Sequence, residues 1–110
     1  MNNLGVTTIG RNERRILSTS LFVRDFLLSY KESYPYQIWK NLKTAKKGLH
    51  CCSYQSFMNL WGRLEKLDLV IFVREEKGLN PTFKNRKIYT LNPQNINSNF
   101  WKNTAKALYG

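Results

Sequence analysis

The sequence predicts an α+β domain in which three helices precede a two-stranded β-hairpin, and three observations carry that expectation. In residues 53–70 (SYQSFMNLWGRLEKLDLV) the large apolar side chains fall at Phe57, Leu60, Trp61, Leu64 and Leu67, spacings of three and four that stack on one helix face. Residues 70–73 (VIFV) and 87–91 (KIYTL) are β-branched and aromatic, and Gly78, Asn80 and Pro81 between them are turn formers, so the pair reads as a hairpin. The chain has 110 residues, 42% of them hydrophobic, with three Trp, six Tyr and six Phe, which is material for one core and one domain.

In order along the chain, residues 1–15 read as an N-terminal arm containing Gly5 and Gly10, with Asn12 able to cap a helix through Ile16 and Leu17. Ser18, Thr19 and Ser20 either interrupt that helix or cap a new one. Leu21, Phe22, Phe26, Leu27 and Tyr30 then form an apolar stripe, with Arg24 and Asp25 outside it. Lys31, Glu32 and Ser33 make a polar turn. Pro35 suits the first turn of a second helix, where its missing N–H costs nothing. That helix is expected from Tyr36 to about Thr44, burying Tyr36, Leu42 and either Ile38 or Trp39. Lys40, Lys43, Lys46 and Lys47 lie on it or just after it, and no acidic residue occurs between Glu32 and Glu65. Gly48 breaks the pattern, and two helices joined by a short turn containing Gly make a helix-turn-helix.

Ser53 is the expected N-cap of the third helix, its hydroxyl accepting from an N–H of the first turn. The face opposite the apolar stripe carries Gln55, Ser56, Asn59, Gly62, Arg63 and Lys66. It is rich in hydrogen-bonding groups and free of acid over its first three turns. After the helix and the first strand, residues 75–81 read as a loop; Lys84, Arg86 and Lys87 follow at the hairpin's far side, and no acid occurs beyond Glu76. The division expected is an arm at 1–15, the domain at 16–93, and an Asn-rich linker with a short helix at 94–110. That last helix spaces Phe100, Trp101, Ala105 and Leu108 as an apolar face needing a surface to cover, this domain's own or a second protomer's. Phe100, Trp101 and Leu108 are the candidate dimerisation residues.

Eighteen Lys and Arg against seven Asp and Glu give a formal charge of +11, which points to an anionic partner. No apolar run approaches the roughly 20 residues of a membrane span, and the N-terminus lacks a signal-peptide core, so a cytoplasmic protein without a membrane partner is expected. Cys51 and Cys52 are adjacent, where a disulfide between them would be strained. His50-Cys51-Cys52 cannot easily close a tetrahedron, and no other His or Cys exists to complete one, so neither metal nor cofactor is expected. One histidine, scattered acids and the absence of a phosphate-loop or nucleophile motif speak against an enzyme.

Helix, helix, helix, strand, basic loop, strand is the order of a winged helix-turn-helix. Residues 20–93 resemble that domain in the PadR-like group of regulators, and equally the small winged-helix proteins of archaea and of their viruses and plasmids. Tyr36-Gln37-Ile38 matches a Tyr-x-Ile motif at the start of helix two. Phe57, Trp61, Leu64, Glu65, Leu69 and Val70 follow the group's spacing from recognition helix into wing, and residues 86–91 (RKIYTL) resemble its second wing strand. The resemblance implies an α+β winged helix: three helices plus a two-stranded wing, with short terminal extensions. Asp68 stands where the group usually has Gly, and the last helix is far shorter than the long dimerisation helix of PadR regulators.

A helix fits the DNA major groove, where each base pair presents its own donors and acceptors. Tyr54, Gln55, Ser56, Asn59 and Arg63, in the first turns, are the candidate base readers: Gln55 and Asn59 for adenine, Arg63 for guanine or phosphate, Tyr54 for phosphate or a thymine methyl. Lys40, Lys43, Lys46, Lys47 and Lys66 are candidates for the DNA backbone, and Lys84, Arg86 and Lys87 for phosphates or the minor groove through the wing. These assignments predict a homodimeric, sequence-specific regulator of transcription on double-stranded DNA. The rivals are a plasmid or viral partition protein that spreads on DNA and recruits a partner protein, and a non-specific architectural protein.

Overall fold

The computed structural model describes residues 11–45, 52–78 and 85–109, excluding the side chains of residues 11–13, 105 and 107–109. Lys46, Lys47, Lys84, His50, Cys51 and the side chain of Leu108 therefore lie outside the described residues. The elements are α1 (Arg11–Tyr30), α2 (Pro35–Ala45), α3 (Tyr54–Lys66), β1 (Val70–Glu76), β2 (Arg86–Leu91), a 3-10 turn Pro93–Asn95, and α4 (Asn99–Tyr109). This is the α+β winged helix that the order of elements predicts.

α1 includes Arg11–Arg15 and runs unbroken through Ser18, Thr19 and Ser20. Ser20 is buried, and its hydroxyl donates to the Ile16 carbonyl one turn back at 2.9 Å, so the helix satisfies this polar group internally. The helix packs against α2, β2 and α4. Contact on more than one side widens its buried arc beyond the expected stripe, so Val23 is fully buried while Tyr30 is 67% exposed. Lys31 ends α1 in the left-handed region (φ 69°), donating its N–H to the Leu27 carbonyl at 2.8 Å.

α2 begins at Pro35 as expected and buries Ile38 and Leu42, one turn apart. Tyr36, expected in the core, is 46% exposed, because two residues from Ile38 is the opposite side of a helix. In α3 the Ser53 side chain accepts from the Ser56 N–H at 3.1 Å, and Phe57, Leu60, Trp61 and Leu64 are buried. Leu67 departs from the expected stripe and is 51% exposed. The helix stops there in a Schellman turn, with Asp68 at φ 57°, Asp68 N–H on the Glu65 carbonyl and Leu69 N–H on the Leu64 carbonyl, each 3.0 Å. The chain reverses, and Leu69 takes the buried place beside Leu64.

β1 and β2 pair antiparallel from Val70↔Leu91 to Glu76↔Arg86, so Glu75 and Glu76, expected in the loop, belong to the strand. Val73 is an extra residue between Phe72↔Tyr89 and Arg74↔Ile88, a bulge that bends the wing. Ser33, expected in a polar turn, is buried and adds a third partner to the sheet: it exchanges backbone hydrogen bonds with Tyr89 at 3.1 and 2.8 Å. Arg74 reinforces this join by reaching Glu32 at 2.7 Å and Glu76 at 2.8 Å. The Asn-rich stretch is pinned too. Asn92 and Asn95 both donate side-chain N–H groups to the Asp68 carbonyl at 2.8 Å, which ties the exit of the wing to the end of α3.

α4 lies on α1. Trp101 is 2% exposed and joins Leu27, Ile38, Phe57, Trp61 and Leu64 in one core cluster, with Phe100 half-buried beside it. Among the described residues, no helix is long and apolar enough to cross a membrane.

Candidate nucleic-acid interface

The core on one side of α3 fixes what the other side shows to solvent. Gln55, Ser56, Asn59, Arg63 and Lys66 are all exposed. Gln55 Nε2 donates to Asn59 Oδ1 at 3.2 Å, one turn along, which orients both amides and leaves an acceptor on Gln55 and a donor on Asn59 unpartnered among the described residues. Ser56 takes part in the cap as well, since Ser53 Oγ lies 3.2 Å from Ser56 Oγ. Lys66 sits about 16 Å along the axis from Gln55, at 1.5 Å per residue, and belongs with the back of the helix.

The expected base readers divide between two clefts. Ser56, Asn59 and Arg63 face α1 across a cleft of about 680 Å³, whose far wall is Arg15, Ile16 and Thr19. Tyr54 faces the wing across a groove of about 870 Å³, together with Tyr34, Tyr36, Lys40, Met58, Arg86 and Lys87. Gln55 borders neither. Arg15, from the stretch assigned to the arm, thus stands across a cleft from Arg63 and adds a cation to that side of α3.

The wing-side groove is built mostly from aromatic rings and cations, with Glu65 as the one carboxylate among its described lining residues. The Arg86 guanidinium lies 5.1 Å from the Tyr34 ring and within 3.4 Å of its hydroxyl, so the loop end of the wing strands aims this cation at the residue just before α2. Lys40 and Lys43 sit over the rings of Tyr36 and Trp39 at 5.6 and 4.6 Å. Trp39 donates its indole N–H to the Cys52 carbonyl at 3.0 Å, fixing α2 to the segment that leads into α3. Partial burial, with Tyr36 nearby, raises the Tyr54 phenol above the ordinary tyrosine range, so it is a neutral hydrogen-bonding group at physiological pH. Arg74 is held charged by Glu32 and Glu76, and those two carboxylates already occupy it.

Lys40, Arg86 and Lys87 line the wing side of α3 and Lys43 stands over Trp39 on α2, while Lys46, Lys47 and Lys84 fall outside the described residues. Of the candidate dimer contacts, Trp101 covers its own protomer's core, the first of the two surfaces considered for it, and Phe100 stands edge-on to it at 5.1 Å. Sequence reasoning missed Tyr34, Tyr36 and Trp39 as surface groups. The spacing of Tyr36, Trp39, Lys40 and Lys43, three and four apart, was the available signal that they share a face.

The fold resembles a solved structure of a transcriptional regulator from Clostridium thermocellum, with a TM-score of 0.57 and 22% sequence identity over 87% of this chain and 80% of that one. No family model and no curated protein matches the chain.

Proposed function

We propose that this protein binds double-stranded DNA in a sequence-specific manner and regulates transcription as a homodimer, a winged helix resembling the PadR-like group or the small archaeal, viral and plasmid type. The observation that carries the reading is the outer face of α3, where Gln55, Asn59 and Arg63 stand exposed, with Arg15 across the cleft on one side and Lys40, Arg86 and Lys87 along the groove on the other. A helix so equipped enters the major groove with donors and acceptors for base edges, and Lys40, Lys43, Arg86 and Lys87 take the phosphates on either side. The solved regulator of the same fold supports the role by its name, and the charge of +11 supports the partner.

A footprinting titration on the DNA neighbouring the protein's own gene tests this reading. A single protected palindrome is the expected result. Protection that spreads outward with concentration replaces the regulator with the partition reading, and protection without a preferred site replaces it with the architectural one.

A further inference from the structure

Duplex recognition through α3 gives Tyr54 and the nearby cations a task but leaves the rings of Tyr36 and Trp39 without one. Tyr36, Trp39 and Tyr54 meet where α2 approaches the start of α3, with ring centroids 5.3 to 5.7 Å apart. Interplanar angles of 42°, 80° and 58° show that no ring in the trio lies flat on another. Tyr36 and Tyr54 are 46% and 37% exposed. Lys40 and Lys43 stand over two of the rings, and Tyr36, Tyr54 and Lys40 share a groove with Arg86 and Lys87 of the wing, where these three cations outnumber the single carboxylate of Glu65. Aromatic faces left in water are costly to a fold that gains by burying them; Trp39 packs one side against the core, whereas Tyr36 and Tyr54 stay largely outside it.

We infer that this corner binds unpaired nucleotides of single-stranded DNA, so that the protein prefers duplex carrying an unpaired tail to blunt duplex. Every base has a π-face that stacks on an aromatic ring, and in a duplex those faces are hidden in the base stack. Only an unpaired strand brings them to Tyr36, Trp39 and Tyr54. Lys40 and Lys43 would give up the ring faces to the incoming bases and move to the phosphates, a short swing for flexible side chains, while Arg86 and Lys87 hold the strand from the other bank of the groove. An acidic peptide could use the same cations but offers few flat rings to the aromatic trio.

The tail preference rests on duplex binding by α3, whereas binding of a free single strand does not, so the experiment uses three probes. Fluorescein-labelled blunt duplex, the same duplex with a short oligothymidine tail, and free oligothymidine are titrated by anisotropy against the full chain. The tailed duplex is expected to bind about tenfold tighter than the blunt one. Tyr36→Ala should bring that ratio to near one, and Tyr36→Phe, which keeps the ring, should preserve it. Trp61 and Trp101 are buried, so Trp39 alone among the three tryptophans can meet a base. Oligothymidine should therefore quench part of the tryptophan emission, and Trp39→Phe should remove that part. Equal affinity for tailed and blunt duplex with no quenching overturns the inference, as does a Tyr36→Ala variant that weakens both duplexes by the same factor. Binding and quenching by oligothymidine without any duplex binding would leave this corner standing and remove the duplex reading instead.

Discussion

Asp68 occupies the left-handed region at φ 57° in the turn that ends α3, a conformation that costs an L side chain energy and costs glycine none. Its carboxylate also sits at a helix C-terminus, where negative charge is unfavourable. Its carbonyl, which holds Asn92 and Asn95, would survive the loss of the side chain. Asp68→Gly should therefore stabilise the protein by about 0.5–1 kcal/mol, a rise of a few degrees in Tm by thermal denaturation; an unchanged or lower Tm would contradict the strain. Two leucines leading into that turn differ more sharply. Leu64→Ala removes a fully buried side chain and should cost about 2–5 kcal/mol, whereas Leu67→Ala, on a half-exposed residue, should stay within about 0.5 kcal/mol. Chemical denaturation of the pair checks which leucine belongs to the core. Burial foremost, with Glu65 adding, raises the Tyr89 phenol above its ordinary value. The proton is thus held more tightly in the folded chain than in the unfolded one. Stability from this group is complete below about pH 10 and is lost as pH rises through and beyond that value. Tyr89→Phe should make the alkaline decline shallower in denaturation measured as a function of pH.

At the scale of elements, the proposed function divides the work of binding between α3 and the wing, and two arginines separate them. Arg63 stands on the reading face, so Arg63→Ala should relax sequence preference, at about 1–3 kcal/mol for the preferred site. Arg86 stands on the wing against Tyr34, so Arg86→Ala should weaken all sequences alike and flatten the salt dependence of binding by about one unit. Anisotropy titrations at several salt concentrations check both, and wild-type behaviour in both variants would sink the surface assignment. The elements themselves were legible because their signals are local. Ser53, Phe57, Leu60, Trp61 and Leu64 declare a capped amphipathic helix within a dozen residues, and Pro35 declares where α2 starts. What escaped the sequence depends on partners far along the chain. Ser33 looks like a turn residue until β2, more than fifty positions later, arrives to pair with it. Tyr36 looks like a core residue until the contact between α2 and α3 selects Ile38 and Leu42 instead. Leu67 looks like part of the stripe until Asp68 turns the chain and Leu69 replaces it. The outer face of α3 was legible as a list of residues, but its division between an α1-side cleft and a wing-side groove was not, since neither wall is encoded in the helix.

At the scale of the whole molecule, the question is what the last helix does. An eleven-residue helix has little stability alone in water, so α4 exists because it covers something. It covers α1, and Trp101 is the largest side chain it contributes to the shared core. That placement separates folding from assembly in a measurable way. A tryptophan buried in its own protomer lowers the stability of each protomer when removed, so Trp101→Ala should cost about 3–5 kcal/mol in unfolding at every protein concentration. A tryptophan buried only between protomers would do something different. Its removal would shift the balance between monomer and dimer, and the loss would shrink on dilution, because the stability of an assembled protein depends on protomer concentration. Denaturation of wild type and Trp101→Ala over a hundredfold range of concentration, with the mass of each followed by light scattering, distinguishes the two. A constant stability loss with an unchanged mass places Trp101 inside the protomer and leaves the proposed homodimer to other surfaces. A wild-type mass of one chain throughout would remove the homodimer itself while leaving the role of α4 in the core untouched.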